Sequence, residues 1–222
     1  MKANPLAPEI LFHLGPVPIS RAVATTWAIV IALALLSALV MRRPKTSAGP
    51  MQSARETAVE TNDSQLRDIL NRDPWPFMPL LATLFLFVVT ANLAAVVPGL
   101  TPPTGHIETP AALAIIVFFS VHWFGIRARG LRAYLRRYIE PTPIMLPLNI
   151  LGEITRTFSL MVRLFGNMMS HEFVVAILLY LAGFLLPVPF MALGILIGIV
   201  QAYIFTVLAA VYIGAGLGVV ET

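Results

Sequence analysis

The sequence predicts an all-α integral membrane protein with about five membrane-crossing helices, the last two forming a long tilted hairpin. Three observations predict it. Of 222 residues, 58% are hydrophobic and only 12% charged, whereas soluble domains run at roughly 45–50% apolar and about 25% charged. Several windows of about 20 residues are almost free of charge, the length a helix needs to cross about 30 Å of hydrocarbon. Most of the arginine gathers in two short patches beside apolar spans, where it sets orientation and meets lipid headgroups.

Residues 1–21 are a short mixed lead carrying Pro5, Pro8, Pro16 and Pro18. The first apolar span runs from Ala22 to Met41 (residues 22–41) and stops at Arg42-Arg43-Pro44-Lys45. A signal peptide would have an apolar run of roughly 7–15 residues followed by small residues; a longer run ending in basic residues reads as an uncleaved helix. Residues 42–74 are polar with mixed charges, consistent with a linker and a surface helix from Ser53 to Leu70, with Pro74 and Pro76 as breakers.

The second span, Phe77 to Val97, ends at Pro98-Gly99. A turn-rich loop holding His106 and Glu108 but no basic residue leads to the third span, Pro110 to Ile126. Arg127, Arg129, Arg132, Arg136 and Arg137 follow it. The positive-inside rule puts both basic patches in the cytoplasm, and the N-terminus and the His106–Glu108 loop outside. From Met145 to Phe184 the chain reads as about 40 helical residues, roughly 60 Å at 1.5 Å per residue. That length means one steeply tilted helix or two helices, and no proline interrupts it between Leu148 and Pro187. Pro187-Val188-Pro189 predicts a turn, and the last span runs from Phe190 to about Gly216, leaving the C-terminus in the cytoplasm.

The chemistry gathers on the long helix. On a wheel of 100° per residue, Asn149, Gly152, Arg156, Ser159, Gly166, Asn167 and Ser170 fall within about 60° of Arg163, with Leu160 and Val174 as apolar exceptions. Small residues alone in such a stripe let helices pack closely in lipid. Arg163 needs more than that. An arginine near mid-bilayer costs roughly 2.5–3.5 kcal/mol on insertion scales, so it faces a cavity or a partner charge. Glu153 and Glu172, the carboxylates of the last two spans, lie about 15 Å and about 13.5 Å from it along the axis. Glu172 is also on the opposite face, so the partner of Arg163 is expected from elsewhere, most economically another subunit. Glu172 is a second intramembrane charge, able to take and release a proton, beside His171, which reads equally as relay or packing. Gln201 is the lone polar group mid-way along the last span, with Gly194 and Gly198 on nearly the same face; it reads as support for an arginine or as interhelical glue.

Several classes are excluded. Without cysteine there is no disulfide or thiolate metal site, and no metal site or cofactor is expected. The formal charge of +4 belongs to the patches and does not point to nucleic acid. Lysine occurs only at Lys2 and Lys45, and no Gly-rich phosphate loop is present, so the chain should not bind nucleotide. No Gly-x-Ser-x-Gly or His-Glu-x-x-His motif supports an intramembrane hydrolase.

At these residues the sequence resembles subunit a of the F-type ATP synthase. Ser159-Leu-Met-Val-Arg-Leu-Phe-Gly-Asn-Met168 is similar to that family's signature helix, and Gly152-Glu153-Ile-Thr-Arg156 to its upstream part. Gln201-Ala-Tyr-Ile-Phe-Thr-Val-Leu208 resembles its last-helix motif, and Asn92-Leu93, Pro98-Gly99 and Pro103-Thr104 resemble the end of its second span and the loop beyond. The ordered match covers roughly residues 75–220; the first 75 residues match only in layout. The resemblance implies a channel-forming domain over residues 75–222 in a non-catalytic, ion-translocating subunit of a bacterial plasma membrane. It implies partners in a ring of c subunits, peripheral-stalk b subunits and lipid. Arg163 would face a carboxylate of that ring, Glu172 would be the acid of a half-channel, Asn167 would lie on the channel helix and Gln201 beside the arginine. Two departures matter. Gly194 stands where some members carry a histidine that works with the acid, a role His171 would take. His106 and Glu108, at the mouth of an outer channel, stand where many members have Asp and Asn. Proton is the expected ion, with sodium as the alternative. A self-contained secondary transporter would show two related halves, and none is found; a purely structural stator anchor would leave Arg163 replaceable.

Overall fold

The computed structural model describes residues 10–14, 17–42, 76–96, 102–139, 142, 144–183 and 187–218. Helices dominate them. The six α-helices among these residues are α1 (Arg21–Arg42), α2 (Met78–Leu93), α3 (Glu108–Arg129), α4 (Leu131–Ile139), α5 (Met145–Ala182) and α6 (Pro187–Leu217). Before α1, a two-stranded antiparallel ribbon pairs β1 (Ile10–Leu14) with β2 (Val17–Ser20), a small addition to the expected all-α layout. The surface helix expected from Ser53 to Leu70, and with it most of the 42–74 linker, lies outside the described residues.

Proline places the helix starts. Pro79, Pro110, Pro147 and Pro187 all sit in the first turns of α2, α3, α5 and α6, where the N–H that proline lacks has no intrahelical partner. The turn expected at Pro187–Pro189 is therefore wrong: both prolines belong to the first turn of α6. Glu108 likewise joins the first turn of α3 rather than the loop, where a carboxylate complements the helix dipole. Glycines with positive φ, Gly130, Gly183 and Gly218, follow α3, α5 and α6, a conformation that ends helices without Cβ strain.

The long segment resolves as one unbroken helix of 38 residues, about 57 Å at 1.5 Å per residue. That exceeds the hydrocarbon thickness of about 30 Å, so α5 must lie oblique to the membrane or emerge from it. Arg21–Leu39, α3, α5 and α6 are each long and apolar enough to cross, and α2 is a shorter apolar helix extended by a 3-10 turn over Ala94–Val96. Two contacts at the bundle's ends fix the alternation. Ser20, before α1, donates to Glu108 at 3.0 Å, and Arg129 donates through Nε to the Leu217 carbonyl at 2.7 Å. The start of α1 and the loop before α3 thus share one end, and the arginine-rich end of α3 shares the other with the end of α6.

The core forms where α2, α3, α5 and α6 meet. Leu81, Leu84, Val88 and Ala91 of α2 face Ala202, Phe205, Ala209 and Ile213 of α6, with Leu113, Val117 and Val121 of α3 and Leu160 and Leu164 of α5 completing the cluster. The spacing of three or four residues in each set puts it on one helical face. Outward faces are apolar too: Leu35, Leu39, Phe119, Trp123, Leu179 and Leu196 are exposed, as a lipid solvent requires. Helix α5 is the least enclosed, buried mainly along the seam Leu160, Leu164 and Met168.

At the arginine-rich end, α3 and α6 approach backbone to backbone. A Cβ on Gly216 would lie 2.9 Å from Val121 Cγ1 and 3.1 Å from the Val121 carbonyl, and one on Gly125 would lie 3.1 Å from the Gly216 carbonyl. Replacing Gly216 by Val should cost about 1–3 kcal/mol of overpacking, read as a lower melting temperature in detergent. Gly166→Ala is the matched control, because a Cβ there meets nothing within 4 Å; equal effects of the two changes would contradict this packing.

Candidate functional site

Arg163 lies mid-way along α5 on its exposed face, and among the described residues it has no ion-pair or hydrogen-bond partner. The polar stripe around it is a surface. Asn149, Arg156, Asn167 and Ser170 are exposed, and Gly152 and Gly166 would each accept a Cβ without meeting any atom. The small residues of the stripe therefore do not serve close packing inside this chain. Glu172 points elsewhere, as the wheel requires.

Toward the loop end, a polar network ties α2, α5 and α6 together. Asn92 of α2 is buried; its Nδ2 donates to the Gly198 carbonyl of α6 at 2.9 Å, and its Oδ1 accepts from Thr104 Oγ1 at 2.8 Å. A Cβ on Gly198 would lie 3.0 Å from Asn92 Cβ, so glycine admits the asparagine. Across the α5–α6 seam, Asn167 Nδ2 donates to Gln201 Oε1 at 2.6 Å. Gln201 is 4% exposed, and its Nε2 has no acceptor among the described residues. A small cavity there is lined by Asn92, Asn167, His171, Gly194, Gly198 and Gln201. Leu164, Met168 and Ile197 complete a largely apolar lining, and a buried amide left with free donors in such a cavity is an arrangement proteins rarely keep without use.

His171 presses against Gly194: its imidazole fills the space a side chain at 194 would need. Glu172, one residue on, turns to the loop, and a Cβ on Gly105 would lie 2.9 Å from its Oε2. The 3-10 turn Pro103–Gly105 thus covers the carboxylate, while Thr104 anchors that turn to Asn92. His106 follows the turn, and Glu108 holds Ser20.

A second polar cluster occupies the arginine-rich end. A cavity of about 300 Å³ opens between α3, α4, α5 and α6. In it the Tyr138 hydroxyl donates to Glu153 and lies 3.0 Å from the Tyr134 hydroxyl; His122, outside the lining, brings its Nε2 to 3.6 Å from Glu153 Oε1. Burial first, then hydrogen bonding to Glu153 and Tyr134, pushes the Tyr138 hydroxyl well above the ordinary tyrosine value, so it stays protonated and serves as a donor.

Comparison with known proteins decides the family: residues 23–214 match that of the ATP synthase A chain. The chain belongs to this family. It is 57% identical over 218 residues to ATP synthase subunit a 2 of Bradyrhizobium sp., covering 98% of each chain. It is 45% identical to ATP synthase subunit a 2 of Pelobacter propionicus, over 96% of this chain and 93% of that one. To ATP synthase subunit a 1 of Chlorobaculum parvum it is 48% identical over 93% of this chain and 92% of the relative. Membership in the ATP synthase A chain family makes it a multi-pass, non-catalytic subunit of the membrane sector, with a part in ATP synthesis and ion transport.

Within this family member, the structure joins Asn167 to Gln201 and brings His171 into the same cavity. Glu172 is a neighbour in sequence that faces away toward Gly105, and Arg163 stands apart on the surface. Sequence reasoning missed the buried role of Asn92 and Thr104 and the whole His122–Tyr138–Glu153 cluster. Asn92 and His122 were visible as isolated polar residues in apolar spans, a signal that was available. Tyr138 was not, because only the fold of α4 back onto α5 brings it to Glu153.

The His171–Gly194 contact is testable by a double-mutant cycle. Gly194→Ala should lower the melting temperature in detergent, and adding His171→Ala should recover most of the loss. The expected coupling is about 0.5–3 kcal/mol; additive effects would show that the imidazole does not occupy that space.

Proposed function

We propose that this subunit carries protons along two polar routes, one from each end of the bundle, that meet at Arg163 beside a rotating ring of c subunits. The observation that carries this reading is the position of Arg163. It is exposed, without a partner among the described residues, and on a stripe where Gly152 and Gly166 leave open space. Polar clusters lie toward both ends, around Glu172 and around Glu153. Glu153 and Glu172 stand about 15 Å below and about 13.5 Å above it along the axis, so neither neutralises it.

The physics fits that role. A guanidinium stays charged in any accessible environment, unlike a lysine ammonium. At 4 Å and an effective dielectric near 20, it attracts a carboxylate by about 4 kcal/mol before desolvation is subtracted. A ring carboxyl arriving opposite Arg163 therefore gives up its proton, and the same fixed charge repels a proton crossing directly between the routes. Glu172, His171, Asn167 and Gln201 form the loop-end route, with His106 and Glu108 at its mouth; the 300 Å³ cavity is the other route. His171 acts with Glu172 where a histidine at 194 has no room.

The positive-inside rule supports an arginine-rich end in the cytoplasm of a bacterial cell, with the N-terminus outside and the C-terminus inside. The bacterial sources of the relatives agree with a plasma-membrane address. Contacts with peripheral-stalk b subunits follow from the family resemblance. Sodium is the alternative coupling ion, because ion choice lies largely in the ring carboxyl of another chain.

Arg163→Ala should abolish ATP-driven acidification of inverted vesicles while ATP hydrolysis persists, and Arg163→Lys should not restore it. Full pumping by Arg163→Ala would overturn the proposal. Pumping that requires sodium in the medium would assign the other ion.

A further inference from the structure

The cluster at the arginine-rich end contains a hydrogen-bonding detail that goes beyond the two routes. His122 Nδ1 lies 2.8 Å from the Phe118 carbonyl. A carbonyl only accepts, so Nδ1 carries the hydrogen and donates. In the neutral ring, Nε2 then holds a lone pair, and Nε2 faces Glu153 Oε1 at 3.6 Å. A lone pair facing a carboxylate oxygen is unfavourable; one proton shared between the two groups, on either atom, makes the contact attractive. On the other carboxylate oxygen, Oε2, Tyr138 supplies a hydroxyl hydrogen, and it remains a donor because its hydroxyl resists ionisation. One oxygen thus has a fixed donor, and the other faces His122 Nε2.

The surroundings suit exchange. The cavity is lined by Asn149, Gly152 and Arg156 of α5, Tyr134 of α4 and Tyr212 of α6. Arg156 is the charged group on that wall, Tyr134 and Tyr212 the other titratable ones. Asn149, Gly152 and Arg156 also belong to the stripe of Arg163, so the cavity borders the helix face that carries the arginine. His122 and Glu153 are both part-buried, dry enough to couple and wet enough to exchange.

We infer that His122 and Glu153 form a proton-loading pair on this route, holding one proton between them, with Tyr138 as the residue that positions Glu153. A proton released from a ring carboxyl opposite Arg163 passes by water to the pair, and the pair gives one proton to the cytoplasmic medium; synthesis and hydrolysis run it in opposite directions. This inference rests on the two-route reading above.

The test uses the whole ATP synthase in inverted vesicles, with acidification followed from acid to alkaline pH. Glu153→Gln, which keeps the shape and loses the proton site, should slow pumping at least ~10-fold and flatten its pH dependence, with partial recovery in Glu153→Asp. Tyr138→Phe should lower the rate and shift the pH profile, because Glu153 loses the donor that holds its carboxylate in place. His122→Gln should narrow the active pH range. A Glu153→Gln enzyme with normal rate and profile would overturn the inference. If that variant fails to assemble, unshifted profiles in both Tyr138→Phe and His122→Gln overturn it instead. Arg163→Ala is run in parallel: normal pumping there defeats the two-route reading, whereas loss there with a normal Glu153→Gln defeats only the loading pair.

Discussion

A permanent positive charge cannot rest bare in hydrocarbon, and much of this structure is arranged around one that lies mid-way along an apolar helix. Arg163 is mid-way along α5 and faces out of the bundle. Buried against the core, it would need a carboxylate from this chain, and the two within the last spans lie more than a helical turn too far along the axis. On the surface, it is not enclosed by this chain. The seam of Leu160, Leu164 and Met168 attaches α5 to the bundle by a narrow strip, so the polar stripe remains exposed. Length serves the same end: a helix of 38 residues carries the stripe beyond Arg163 in both directions.

An unsatisfied donor in a membrane is expensive, and apart from Gln201 Nε2, which has no acceptor among the described residues, the buried amides are paired. Asn92 pairs with Thr104 and the Gly198 carbonyl, and Asn167 with Gln201. Glycine makes these bonds feasible, because Gly198 lets Asn92 approach and Gly194 lets His171 in. The small residues of α6 face other helices of this chain, whereas those of α5 face open space. One residue type thus serves internal packing on one helix and an external surface on its neighbour.

The bundle's ends are stapled differently from its middle. At the loop end, Ser20, just before α1, donates to Glu108 of α3, and Thr26 of α1 and Thr109 of α3 are 3.3 Å apart. At the other end Arg129 caps the final carbonyls of α6, which favour a cation. Between them apolar contact, weakly directional in lipid, is supplemented by the bonds of Asn92 to Gly198 and of Asn167 to Gln201. Polar staples at both ends add to the register that these few bonds set.

Much of this was legible in order along the chain. Lack of charge located the spans, and the wheel separated Arg163 from Glu172, because helical period and transfer cost act on each residue locally. The sequence by itself therefore determined the crossings, the lone arginine and, through its ordered motifs, the family. It did not determine that Pro187 and Pro189 start a helix instead of making a turn, because proline favours both. Nor did it reveal that His171 fills the space at Gly194, that Glu172 rests on Gly105, or that Tyr138 and His122 enclose Glu153. Those contacts join residues far apart in sequence, and their existence depends on how closely helix backbones approach, which only tertiary packing decides.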